Sequence, residues 1–273
     1  MRNNEDRFGS AASPPQPVAE GLHYVVPTEL VELPSKGLFY PENHPLHDKE
    51  FVEIKHMTTK EEDILTSTAL IEKGVVLEYL VNSLLINKQI QANSLLPGDQ
   101  NAILISARIS AYGSEYGFSD KCPACGNLNK IEYDLESLKT KELTYNEDFV
   151  NGLISIRLEK TNFQIKLKQL NIADISRIEK ENNRRSKMGV PMGDNMLLLS
   201  SIIYSINGEK NDGSLKFLNV IENLPSKDVR QIKLSYNKTK PDVDLTINIQ
   251  CNSCGHVKEG RLPITARFFW PDA

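Results

Sequence analysis

Four cysteines occur as two pairs with the same spacing, Cys122-Pro-Ala-Cys125-Gly and Cys251-Asn-Ser-Cys254-Gly-His. Two thiolates separated by two residues on one tight turn can face a single ion, and the glycine that follows permits the turn. Together Cys122, Cys125, Cys251 and Cys254 make a complete tetrahedral donor set for one Zn2+ ion. Four thiolates leave no open position, so such an ion is structural and ties Tyr116–Tyr133 to Thr246–Leu262. Free cysteines and a thioredoxin-like redox pair are the competing readings; neither pair lies between a strand and a helix of a parallel βαβ pattern. His256 is either a substitute ligand or a solvated loop histidine, the plainer role.

The other chemistry-bearing residues read as structure. His44 and His47 flank a proline that forbids a helical histidine pair, and no carboxylate motif completes a metal site. Glu61, Glu62 and Asp63 stand at a helix start, where carboxylates complement the helix dipole. Arg184, Arg185 and Lys187 form a compact basic run beside Glu179 and Glu181, as on a solvated helix end. The segment Gly-Glu-Lys-Asn-Asp-Gly at Gly208 lacks the ending of a phosphate loop and reads as a turn. No nucleophile or cofactor fingerprint is present, so the expectation is a non-enzymatic protein. Two apolar sets are candidate partner-binding residues: Leu33, Leu38, Phe39 and Tyr40 in a proline-punctuated stretch, and Phe268, Phe269 and Trp270 near the C-terminus. Packing of the aromatic tail on the chain's own core is the competing reading.

The elements that must position these residues follow from patterning. In 273 residues, 40% are apolar and 25% charged, an ordinary globular composition, and the formal charge of −4 argues against a grip on phosphate backbones. No apolar run reaches the length of a membrane span and no apolar block follows the N-terminal charges, so a soluble, intracellular chain is expected, with no membrane partner. Residues 1–26 read as a flexible leader, and 27–57 as an extended strap, with Pro27, Pro34, Pro41 and Pro45 excluding helix, plus a short strand at Phe51–Ile54. A capping box of Thr58 with Glu61, or Thr59 with Glu62, opens a helix. Gly74 ends or breaks it before a second, and a third runs from Asp99 as N-cap to Gly113. After the first knuckle, alternation about Thr161-Asn162 predicts a hairpin. Helices are expected in Ile172–Arg185, in Asn195–Ile206, in Leu215–Asn223 and, opened by Ser226, in Ser226–Tyr236. The expected fold is α+β: a helical N-terminal part joined to a four-cysteine zinc ribbon (58–130 plus 245–273), with a long mixed α/β insertion, 131–244, between the knuckles.

Leu33-Pro-Ser-Lys-Gly-Leu-Phe-Tyr40, the segment from Met57 to Gly74, the run from Leu95 to Phe118 leading into Cys122, and the closing Phe268-Phe269-Trp270-Pro271 together resemble the baseplate hub subunit family of T4-like contractile-tailed bacteriophages. The likeness covers Leu33 to Cys125 and the C-terminal two dozen residues; Lys130–Asn248 matches nothing known. The resemblance implies a non-enzymatic tail protein, either a baseplate hub component or a hub assembly factor. Its expected partners are other hub or tail proteins, and its expected places are the host cytoplasm during assembly and the virion baseplate. A weaker likeness to tail assembly chaperones adds the tape measure protein as a candidate partner. The alternative is a zinc-ribbon nucleic-acid-binding or transcription regulatory protein, for which Lys121, Asn127, Asn129, Lys130, Asn252, Lys258 and Arg261 supply only modest positive charge.

Overall fold

The computed structural model describes residues 25–143, 149–188 and 193–270, and the expected leader lies, up to residue 24, outside them. The strap is not simply extended. Strands β1 (Thr28–Glu32) and β2 (Phe51–Lys55) form an antiparallel hairpin, with Thr28 opposite Lys55 and Glu32 opposite Phe51. Between them the chain folds into successive turns. Gly37, at φ +74°, is required there because a Cβ would lie 2.3 Å from the Lys49 nitrogen.

Helices α1 (Thr59–Thr66), α2 (Thr68–Glu72), α3 (Val76–Leu84) and α4 (Pro97–Tyr112) follow. The first predicted helix is therefore split, at Ser67, and Gly74 with φ +69° separates α2 from α3. Thr58 and Glu61 form the capping box. Helix α4 stops at Gly113 as expected, but Asp99 is not its N-cap: Leu96 holds that position, with Pro97 in the first turn. The buried Asp99 carboxylate turns away to accept the Ser35 amide (2.9 Å), the Ser35 hydroxyl (2.6 Å) and the Tyr40 hydroxyl (2.6 Å). Desolvation raises its pKa, only partly offset by those donors. These bonds pull the strap onto α4.

That attachment corrects the expectation of partner-binding anchors. Leu33, Phe39 and Tyr40 are buried in the chain's own core, and Leu38 is half-buried against it. The C-terminal aromatics behave alike. Phe268 and Phe269 lie fully buried in a 3-10 turn, Ala266–Phe269, and Trp270 packs half-buried on the core. Large apolar side chains lose more by exposure to water than the turns that bury them cost. The buried Arg108 of α4 secures this turn by donating to the carbonyls of Phe268 (3.1 Å), Gly113 (2.8 Å) and Glu115 (3.1 Å).

Strands β3 (Glu115–Lys121) and β4 (Leu128–Asp134) make the hairpin that carries the first knuckle. The insertion then builds a five-stranded sheet from β5 (Phe149–Val150), β6 (Leu153–Arg157), β7 (Gln164–Lys168), β8 and β9, in that spatial order and antiparallel throughout. Helices α5 (Ile172–Lys187) and α6 (Asp194–Ile202) connect β7 to β8 (Ile203–Ile206) and β9 (Glu209–Lys210). Residues 131–244 thus combine helices with an antiparallel sheet, with no parallel strand pair among the described residues. The helix expected through Ile206 ends early, because Ile203, Tyr204 and Ile206 carry β-favouring side chains and Ile203, Ser205 and Ile206 pair with β7.

Helices α7 (Leu215–Glu222) and α8 (Ser226–Lys238) complete the insertion; Pro225, not Ser226, is the N-cap of α8. The chain returns through β10 (Thr246–Gln250) and β11 (Val257–Arg261), the second knuckle hairpin. The two connections of the insertion run side by side, with the Asp244 amide on the Lys139 carbonyl (2.8 Å) and the Lys141 amide on the Asp242 carbonyl (2.9 Å). Buried apolar residues of the strap, helices, insertion and C-terminal turn form one contiguous cluster.

Candidate metal centre

The two knuckle hairpins repeat each other position by position. In the first, the Cys122 amide donates to Asn127 (2.8 Å) and the Gly126 amide to Cys122 (2.9 Å); in the second, Cys251 donates to His256 (2.8 Å) and Gly255 to Cys251 (2.9 Å). Gly126 and Gly255 adopt φ of +76° and +71°, the left-handed turn that glycine accepts without strain. Cys122 and Cys251 are buried while Cys125 and Cys254 are exposed, so each hairpin offers one inner and one outer sulfur.

The hairpins meet with inner sulfur against outer. Cys122 Sγ is 3.8 Å from Cys254 Sγ, and Cys125 Sγ is 3.7 Å from Cys251 Sγ. All four sulfurs lie within 4.8 Å of one another. A tetrahedral ion about 2.3 Å from each thiolate sulfur sets neighbouring sulfurs roughly 3.8 Å apart. The donor set therefore fits a metal ion and closes its coordination shell with protein ligands.

The electrostatics of the sulfurs favour a cation. Cys251 has its thiol lowered to about 6, first by the Cys254 amide and then by that of Ser253, both donating to its sulfur. At Cys254 the His256 amide pulls the same way, but thiol hydrogen bonding with Cys125, burial and the other two sulfurs outweigh it, raising the thiol to about 12. One negative charge forms readily and a second is resisted. A bound divalent cation removes that resistance, since it favours every thiolate at once.

Besides the sulfurs, Lys258 of the second hairpin donates to the Lys121 carbonyl of the first (3.4 Å), and two further contacts join them. The buried Asn129 uses Oδ1 to accept from the Asn252 amide (3.1 Å) and from Asn127 Nδ2 (3.2 Å), and Lys258 pairs with Asp120 at 2.7 Å. Sequence reasoning saw Asn129 only as a possible nucleic-acid contact. Its bridging role had no signal beyond lying four residues after Cys125. His256 serves the site through its backbone, and its ring is not part of the sulfur cluster.

The remaining candidates are placed as structure. His44 stacks on Tyr40 and meets Ser94 Oγ at 2.9 Å, while His47 contacts the Tyr40 carbonyl at 2.8 Å and Asp48 at 3.3 Å. Arg184 and Arg185 both bind Glu181. Glu61 is fully buried in its capping network, and Glu62 accepts the Tyr112 hydroxyl.

Four clustered sulfurs could hold one metal ion with protein donors alone, the arrangement of a structural rather than a catalytic site. Residues 30–270 match the family described as T4 bacteriophage base plate protein, and the chain belongs to that family, a family of phage baseplate structural proteins. The match runs through residues 131–244, which the resemblance read from the sequence had left unmatched. No curated protein and no solved structure matches the chain. Among the described residues no helix is long and apolar enough to cross a membrane.

Proposed function

We propose that the chain is a non-enzymatic baseplate hub component or hub assembly factor, acting through protein–protein contacts and stabilised by one structural Zn2+ on Cys122, Cys125, Cys251 and Cys254. The observation that carries this reading is the family match across residues 30–270. The sulfur geometry supports the metal, and soft thiolate donors in a tetrahedral set favour zinc over harder ions. The ion contributes by holding together two hairpins far apart in sequence; the protein's own residues supply every other contact. Other hub or tail proteins are the partners, with the tape measure protein a further candidate. Assembly takes place in the host cytoplasm, and the hub component persists in the virion tail. The nucleic-acid alternative is disfavoured by the net charge of −4 and by the pairing of Lys258 with Asp120.

The test is tagged chain recovered from phage-infected cells, with metal analysis and mass spectrometry of both the complexes and purified particles. Zinc near one per chain together with baseplate or tail proteins is the expected result. Presence in particles marks a hub component and absence an assembly factor. Recovery with host polymerase or nucleic acid, or without metal, overturns the reading.

A further inference from the structure

The insertion carries a feature that the metal centre does not use. A groove of about 1020 Å3 runs between the end of α5, helix α6, the end of α7 and helix α8. Its floor is apolar: Leu199, Ile221 and Leu224 are buried at its base. Leu234 lines it too, yet is 59% exposed, on a helix whose Ile232 and Tyr236 already face the core.

The charge around this floor runs against that of the whole chain. Among the described residues Arg185, Arg230 and Lys233 line the groove against one carboxylate, Glu222, in a protein of net charge −4. Arg185 is held by Glu181 at 2.7 Å. Lys233 reaches across to the neutral Asn195 side chain, and Arg230 has no ion-pair partner among the described residues. Two cations at the edge of an apolar trough thus lack carboxylates.

We propose that this groove receives an acidic amphipathic segment of a partner protein, with apolar side chains on Met196, Val229 and Leu234, above the buried Leu199, Ile221 and Leu224, and carboxylates facing Arg230 and Lys233. This rests on the reading that the chain works through protein contacts and names the kind of partner. An amphipathic segment in an apolar groove is a common mode of recognition, and charge complementarity selects the acidic one. Nucleic acid fits less well, because no aromatic side chain lines the groove for base stacking and an apolar floor offers nothing to phosphates.

Fluorescence anisotropy on the full chain tests it. The probes are a labelled helical peptide with Leu along one face and Glu along the other, the same peptide with Lys replacing Glu, and a single-stranded DNA. The Glu peptide is expected to bind saturably and to weaken with added salt. Arg230→Glu combined with Lys233→Glu should lower its affinity about tenfold or more and transfer binding to the Lys peptide. Leu234→Asp, at an exposed position, should weaken binding of the Glu peptide and provides the test if the charge reversal unfolds the chain. Absence of saturable binding, equal binding of the two peptides, or indifference to these substitutions overturns the proposal, and tighter binding of the DNA gives the groove to nucleic acid instead. The assembly reading fails separately, if the unaltered chain is missing from baseplate complexes in infected cells.

Discussion

Glu61 has the burial of a catalytic acid and the partners of a structural one. Burial alone would raise its pKa, but donation from Lys55 (2.6 Å), the Ser83 hydroxyl (2.5 Å) and the Thr58 amide and hydroxyl (3.0 and 2.6 Å) overrides it and lowers the pKa to about 2. A depressed folded-state pKa means that the ionised group stabilises above the ordinary value of 4.5 and that this contribution disappears as pH falls toward about 2. Glu61→Gln should therefore cost about 2 kcal/mol at neutral pH, and the gap from the parent should narrow through that window. Urea denaturation at a series of pH values measures it; a gap that stays constant with pH would show that ionisation is not what the network uses. The cysteines make the second prediction at this scale. Cys254→Ser removes an exposed sulfur with little core packing at stake, so bound zinc should fall well below one per chain in elemental analysis while the helical circular dichroism persists. The half of Glu61's network that was legible in sequence is the local half: Thr58 and Glu61 stand three residues apart in a known pattern. Lys55 and Ser83 reach it only through the tertiary fold. The four cysteines were legible for the opposite reason, since their repeated spacing pointed to one shared site however far apart the pairs lie, and the four sulfurs do cluster.

At the scale of the element, helix α4 organises the N-terminal half through residues that sequence periodicity assigned to other duties. Its end at Gly113 was readable because a glycine cap is a local signal. Asp99 looked like an N-cap because nothing in the sequence reveals that Ser35 and Tyr40 claim its oxygens. Arg108 drew no attention, being one arginine in an apolar helix, yet it is fully buried with three backbone carbonyls and, among the described residues, no carboxylate partner. Arg108→Met keeps much of the volume but leaves these carbonyls without donors, and a loss of about 3 kcal/mol is expected, with Trp270 fluorescence reporting release of the C-terminal turn. Gly98 marks another close approach of α4. A Cβ there would fall 2.2 Å from the Pro241 carbonyl oxygen and 2.6 Å from the Asp242 Cα, both backbone, so neither can swing aside. Gly98→Ala should destabilise by about 1–3 kcal/mol despite alanine's better helix propensity, and a variant that melts at or above the parent would show that this contact is looser than described.

Across the whole molecule, residues 131–244 leave and return between two hairpins whose sulfurs cluster, and their neck is held by contacts of its own. The knuckles alone told the sequence reader that two distant halves must meet; they gave no account of the junction, because its members are single polar residues with no motif. Asp242 is that junction. It is nearly buried and accepts from Asn101 of α4 (2.9 Å), Arg261 of β11 (3.0 Å) and the Val243 amide (3.0 Å), beside the paired backbones of Lys139–Lys141 and Asp242–Asp244. The helical part, the ribbon and the neck of the insertion thus share one carboxylate. Closure then has two sources, the sulfur cluster at the hairpin tips, where the proposed ion would bind, and the carboxylate at the neck. Chelation of the metal should speed amide hydrogen exchange at residues 121–128 and 250–257 while leaving 139–141 and 242–244 protected. In Asp242→Ala the same chelation should also release the neck, because no polar clamp remains to stand in for the ion. Exchange at the neck that rises on chelation of the unaltered chain would show that the metal is its sole support; exchange at the tips that does not change would show that the ribbon stands on Asn129 and Lys258 alone.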